Sequence, residues 1–224
     1  MDSLKTVVVA GAGSGIGAGI LEQLQNKNLR AIGLSRRGVI HDDIPVHGKN
    51  YKCDLCVAED VKTTIEWIGK IDVLYITLGD GLFKSIHDTS LDEWEAHIRL
   101  NLTAPFLILR NAYFQLKKAK FPLVVMLSST AGKVGFSESS AYCTTKHGIA
   151  GLAKSIREEW KGEIRVTTVY PGAVYTSIWE GREGFNKEDM IPSKDFALQM
   201  TALLESPPSL NIEDMYILPP KGIL

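Results

Sequence analysis

Hydrophobic residues are distributed along this chain in two alternating patterns. TVVVAG (6–11), RAIGLS (30–35), IDVLYITLG (71–79), PLVVMLSS (122–129) and EIRVTTVYPG (163–172) are near-continuous apolar runs rich in β-branched residues. Such runs predict strands covered on both faces. NYKCDL (50–55) and MYILPP (215–220) predict two more strands. Between them, apolar positions recur at helical spacing. Helices are expected over 15–27, with Ile16, Ile20, Leu21 and Leu24 on one side, and over 58–70, 90–118, 139–161 and 193–206. Thr89 or Ser90 ahead of Asp92 and Glu93 signals the start of the long helix, which Pro105 is expected to interrupt. Seven strands joined by crossover helices imply an α/β fold with a doubly wound, mostly parallel sheet.

Neither repeats nor a linker divide the chain, so its 224 residues are read as one domain. The 45% hydrophobic and 23% charged residues suit a globular protein. Basic and acidic residues nearly cancel, 25 against 26, which gives no stripe for nucleic acid. The apolar run after Lys5 is too short for a secretory signal, and no window resembles a membrane span. A soluble, cytoplasmic protein is expected. The cysteines are Cys53, Cys56 and Cys143, an odd number that argues against a disulfide framework. Cys53-x2-Cys56 has no second pair to complete a structural zinc site, so no metal is expected.

The first strand runs into Gly11-Ala12-Gly13-Ser14-Gly15-Ile16-Gly17 and then a helix. Glycines at that junction allow a tight turn and let a pyrophosphate reach the helix N-terminus. The second strand ends in Ser35-Arg36-Arg37, where a carboxylate would favour NAD and an arginine the extra phosphate of NADP. NADP(H) is therefore expected, with NAD(H) the alternative. Tyr142 and Lys146 stand four apart, one above the other on a helix. They are either a solvated surface pair or an acid and its activator. A nearby ammonium lowers the pKa of a phenol, ordinarily about 10, and so eases proton transfer. Ser129, at a strand's carboxyl end, can donate to a carbonyl oxygen, and Ser128 competes for that role.

These motifs, in this order, resemble the short-chain dehydrogenase/reductase family of the compact type, over nearly the whole chain. The resemblance implies a three-layer Rossmann fold and an NADPH-dependent reductase or dehydrogenase acting on a carbonyl or alcohol carbon. It implies Asn101, Ser129, Tyr142 and Lys146 as the catalytic set, with Asn101 holding a water that links Lys146 to solvent. The glycine loop, Asp54-Leu55 at the third strand, Thr77, Gly79, and Pro171-Gly172 with Val174 and Thr176 become cofactor contacts. It also implies a homodimer or homotetramer paired through the long helices, with Leu152, Ile156 and Trp160 as candidates for a buried face. The chain departs from the family pattern at Ala10, where Thr is usual, and at Ile76-Thr77-Leu78-Gly79, where Asn-Asn-Ala-Gly is usual. A non-enzymatic NADP-binding regulator is the rival reading of that departure. The irregular stretch 174–195, with Trp179, Phe185 and Met190, is the expected substrate loop. Cys143 and His147 are expected to point away from the Tyr142 face. Ala141, Thr145 and Gly148 are expected to admit a nicotinamide and a neighbouring helix.

Overall fold

The computed structural model describes residues 4–40, 46–182 and 184–223. In chain order its elements begin with β1 (Thr6–Ala10), α1 (Gly15–Leu24), β2 (Arg30–Ser35), β3 (Lys49–Lys52) and α2 (Ala58–Ile68). Then come β4 (Val73–Ile76), α3 (Leu91–Ile98), α4 (Ala104–Leu116), β5 (Leu123–Leu127) and α5 (Ser140–Glu159). The last are β6 (Arg165–Pro171), β7 (Val174–Tyr175), β8 (Ile191–Pro192), α6 (Ser193–Ala202) and β9 (Asp214–Ile217). Seven strands form one sheet in the order β3-β2-β1-β4-β5-β6-β9. Every neighbouring pair in it is parallel, so the sheet is wholly rather than mostly parallel. β7 and β8 form a separate parallel pair that closes the base of the stretch expected to be irregular.

The strands carry no alternation because helices cover both faces. One cross-sheet row runs Ile32, Val8, Leu74, Val124 and Val166. It packs under α2, α4 and α5, against residues such as Ile65, Ile108 and Ile149. The next row, Val9, Tyr75 and Val125, faces the other way. It packs under α1 and α6, against Ile20, Leu24, Phe196 and Met200. The Tyr75 hydroxyl donates to the Met200 carbonyl at 2.9 Å and pins α6 to β4. Ile156 and Trp160, candidates for an intersubunit face, are buried in the first of these cores, and Leu152 packs against it. Arg157 of α5 is also buried. It donates to the Val166 carbonyl at 3.1 Å, the Thr168 hydroxyl at 3.0 Å and the Asp214 carboxylate at 3.1 Å. One guanidinium thus ties α5 to β6 and to the edge strand β9.

The long helix begins where expected, and Ser90 rather than Thr89 caps it. Ser90 Oγ accepts from the Glu93 N–H at 3.2 Å, and the Glu93 carboxylate accepts from the Ser90 N–H at 2.9 Å. The expected interruption near Pro105 takes the form of a single π turn, Arg99–Thr103. There the Ala104 N–H reaches back to the Arg99 carbonyl, five residues away. The wider turn shifts the bonding register immediately before a proline that cannot donate, so the helix continues instead of breaking. Asn101 sits inside that turn.

The strand order reverses at β1, which lies between β2 and β4. Ligands of open α/β sheets bind outside the carboxyl ends of the strands at such a switch point.

Candidate active site

A cleft of about 980 Å³ opens along the carboxyl ends of β1, β4, β5 and β6. Its walls include every predicted site residue except Gly17 and Asn101. Gly17 lies beneath the loop instead. A Cβ there would meet the Gly11 carbonyl oxygen at 2.2 Å, so only glycine lets α1 begin so close to β1. Gly11 has φ +99° and would press a Cβ to 2.6 Å from the Leu78 nitrogen. Ser14 precedes α1 in extended conformation, and no side chain caps the helix. Its first-turn N–H groups therefore remain available to an anion.

At the β2 end of the cleft, Arg37 donates to the Gly13 carbonyl at 3.1 Å and braces the loop. Arg36 is exposed beside it. The Ser35 hydroxyl accepts from Asn50 Nδ2 at 2.9 Å. Asp54 closes a turn by accepting from the Cys56 N–H at 3.0 Å, and Leu55 is buried next to it. Cys53 and Cys56 are free thiols on this wall. Burial pushes the Cys53 thiol up to about 11, which keeps it protonated and unreactive at neutral pH.

The altered segment after β4 retains a tie between strands. The Thr77 hydroxyl donates to the Ala10 carbonyl at 2.9 Å, and the Thr77 N–H donates to the same oxygen at 2.9 Å. The polar link that the family motif would supply is therefore made here by a threonine just after β4.

The other end of the cleft gathers Ser129, Tyr142 and Lys146. The two serines separate cleanly. Ser128 spends its hydroxyl on the Lys146 backbone carbonyl at 2.8 Å, which latches α5 to the end of β5. Ser129 accepts from the Ala131 N–H at 3.1 Å and lies beside the Tyr142 phenol, where it favours the phenolate. Lys146 is buried, its Nζ 5.6 Å from the centre of the Tyr142 ring and 3.3 Å from the Leu127 carbonyl. Burial pushes its ammonium from the ordinary value near 10.5 down to about 8. Burial also pushes the Tyr142 phenol up, against Ser129. In the protein alone it is Ser129 and the Arg182 charge, rather than Lys146 as expected, that oppose this rise.

Lys146 is therefore held at a cost. Below about pH 8 the folded chain carries a buried charge that the unfolded chain would solvate. The wild type should gain stability as pH rises from 8 toward 10.5, because the unfolded state then binds the extra proton. We expect Lys146→Met to be more stable than wild type by about 1–3 kcal/mol at pH 7, with a smaller gap at pH 9.5. Urea denaturation without cofactor measures both; a gap that widens with pH contradicts the assignment.

Asn101 is not on the cleft wall. It is buried, accepts from the Asp80 N–H at 2.9 Å and donates to the Asp80 carbonyl at 2.8 Å. It also bonds the buried His97 Nε2 at 2.9 Å, one helical turn earlier. Its carboxamide is spent on holding the 79–81 backbone against Lys146. Cys143 is buried and His147 exposed, and neither lines the cleft. Gly148 admits a neighbouring helix, since a Cβ there would meet Leu102 at 2.9 Å. Of the loop residues, Trp179 and Phe185 line the cleft, whereas Met190 is core. Sequence reasoning missed Phe83 and Arg182. Phe83 lies 5.3 Å from the Tyr142 ring, and Arg182 packs on Phe83, Trp179 and Phe185. Arg182 joins Phe83 across about a hundred residues, so no local pattern marks the pair.

Comparison with known proteins gives this arrangement its lineage. The curated D-threitol dehydrogenase of Mycolicibacterium smegmatis is 29% identical over 210 residues, which is 86% of this chain and 80% of that one. The ligand-free structure of Thermoplasma acidophilum aldohexose dehydrogenase superposes with a TM-score of 0.82 at 25% identity, covering 96% of this chain and 93% of that one. A metagenomic short-chain oxidoreductase in complex with NADP superposes at 0.79 with 26% identity, over 97% of both chains. The family model of the short chain dehydrogenases matches residues 5–186, from the first strand into the loop beyond β7, and the chain belongs to that family of oxidoreductases.

Proposed function

We propose that the protein transfers a hydride between NADP(H) and the carbonyl or alcohol carbon of a small substrate, with Tyr142 as general acid and base. The observation that carries this reading is the shared cleft wall on which Ser129, Tyr142 and Lys146 stand, opposite the glycine loop. The residues fit a nicotinamide dinucleotide. The turn at Gly11 and the uncapped start of α1 suit the pyrophosphate, and Arg36 is exposed on the cleft wall for a 2′-phosphate. The bound cofactor supplies or accepts the hydride. In the reducing direction Tyr142 gives its phenolic proton to the carbonyl oxygen while the Ser129 hydroxyl donates a hydrogen bond to it. Lys146, an ammonium below about pH 8, stabilises the phenolate left behind. Asn101 acts through the 79–81 backbone as a positioning residue, and 174–195 serves as the substrate loop.

The regulator reading loses its support, because the departure after β4 that motivated it is offset by the Thr77 hydroxyl. The test is a panel of ketones, diketones, quinones and the matching alcohols, followed by the absorbance of NADPH and NADH. Turnover of at least one class, with NADPH preferred, is the expected result. Tight cofactor binding with no member of the panel converted in either direction sinks the enzyme reading.

A further inference from the structure

The substrate end of the cleft holds a cation that the reductase chemistry leaves unused. The guanidinium carbon of Arg182 lies 3.6 Å from the Phe83 ring centre, 4.8 Å from that of Trp179 and 4.9 Å from that of Phe185. Phe83 in turn lies 5.3 Å from the Tyr142 ring. Two short steps through the Phe83 ring therefore separate the guanidinium from Tyr142.

Three aromatic faces hold a guanidinium in place but leave its five N–H donors unmet. Among the described residues, no carboxylate comes within ion-pair distance of Arg182, and its charge is felt instead at the Tyr142 phenol. Several other arginines spend donors on the protein. Arg30 bonds the Ile68 carbonyl, Arg157 the Val166 carbonyl, and Arg165 the Pro207 carbonyl. Asp80 borders the same end of the cleft, but its carboxylate is turned to the Gly81 N–H at 2.8 Å. A half-buried guanidinium without a carboxylate among the described residues costs solvation that an anionic partner restores.

We infer that Arg182 holds the carboxylate of the substrate, which is accordingly a small oxo acid or hydroxy acid whose reacting carbon reaches Tyr142. The planar fork of the guanidinium matches a carboxylate bidentately, and the three rings that fix its plane also pack the carbon chain between the two groups. The inference rests on the reductase reading of this site and narrows it to a substrate class.

The test pairs pyruvate, acetoacetate and 4-oxopentanoate with their methyl esters. Binding is read from tryptophan fluorescence, with Trp179 as the local reporter, in the protein alone and with NADP+, where no reduction can occur. Turnover is read from NADPH absorbance. At least one acid should bind about 10- to 100-fold tighter than its ester, the range of a charge-assisted pair. Arg182→Met should remove that preference, and Arg182→Lys should restore part of it. Equal binding of acid and ester across all three pairs, or a preference that survives Arg182→Met, overturns the assignment. Arg182-dependent acid binding without any carbonyl reduction keeps the assignment and fails the reductase reading. Esters reduced as well as acids do the reverse. Weaker NADPH binding in Arg182→Met with no acid preference anywhere reassigns the guanidinium to a cofactor phosphate and also overturns it.

Discussion

Replacing Tyr142 with phenylalanine is expected to lower kcat with NADPH by about 10²- to 10⁴-fold, the usual worth of a positioned general acid. The fold should tolerate the change. The Tyr142 ring packs on Phe83 and lies 6.2 Å from His97, and phenylalanine keeps those contacts. Only the hydroxyl beside Ser129 is lost. Cofactor affinity and thermal stability should therefore change little while turnover collapses. The pH dependence adds a second check. Burial raises the phenol above its ordinary value and lowers Lys146 to about 8, so with the site empty the lysine loses its proton before the tyrosine does. Reduction needs a protonated tyrosine and oxidation an ionised one. The wild-type reduction rate should accordingly fall, and the oxidation rate rise, as pH climbs toward ionisation of the phenol. Equal activity of wild type and Tyr142→Phe on a shared substrate refutes the mechanism.

Changing Arg36 to aspartate should weaken NADPH about 10- to 100-fold more than NADH, since it removes one charge-assisted pair and sets a carboxylate against a phosphate. Arg36 is the better target of the two arginines. Arg37 already bonds the Gly13 carbonyl, and its loss would disturb the loop that both cofactors need. Arg36 is exposed at the same strand end. Titrating both cofactors into wild type and Arg36→Asp by nicotinamide fluorescence measures the ratio. Equal losses for the two cofactors remove the 2′-phosphate assignment.

Much of this could be read from the chain before its structure, for identifiable reasons. A strand buried on both faces leaves an unbroken apolar run, and all five such runs are strands of the sheet, with 50–55 and 215–220 marking its two edges. The glycine loop was legible because backbone geometry imposes residue identity at Gly11 and Gly17. What stayed hidden depended on contacts distant in sequence. Nothing local says that the Ser128 hydroxyl is spent on the Lys146 carbonyl and leaves Ser129 to face the tyrosine. Nor does the departure from the family motif after β4 announce that Thr77 bonds Ala10 across the strand boundary. Asn101 was found by motif, yet its partners Asp80 and His97 required the fold. Pro105 correctly marked an irregularity, but proline chemistry alone does not choose between a broken helix and a widened turn. The loop 174–195 was the least legible, since Val174 pairs with Ile191 over a span with no strand pattern of its own.

The π turn at Arg99–Thr103 also makes this helix intolerant of any change in length. An α-helix advances about 100° per residue, so the extra residue accommodated there sets the phase between everything before it and everything after. Within and just before the turn, that phase points Asn101 toward Asp80 and His97 toward Asn101. Downstream, it points Ala104, Ile108, Ala112 and Leu116 into the core and leaves Phe106 and Phe114 outside. A one-residue deletion between 98 and 104 would swing the whole of α4 by more than a quarter turn, and could not preserve both the grip on Asp80 and the packing against the sheet. Apart from Asn101, this segment is constrained less by the identity of its residues than by their number.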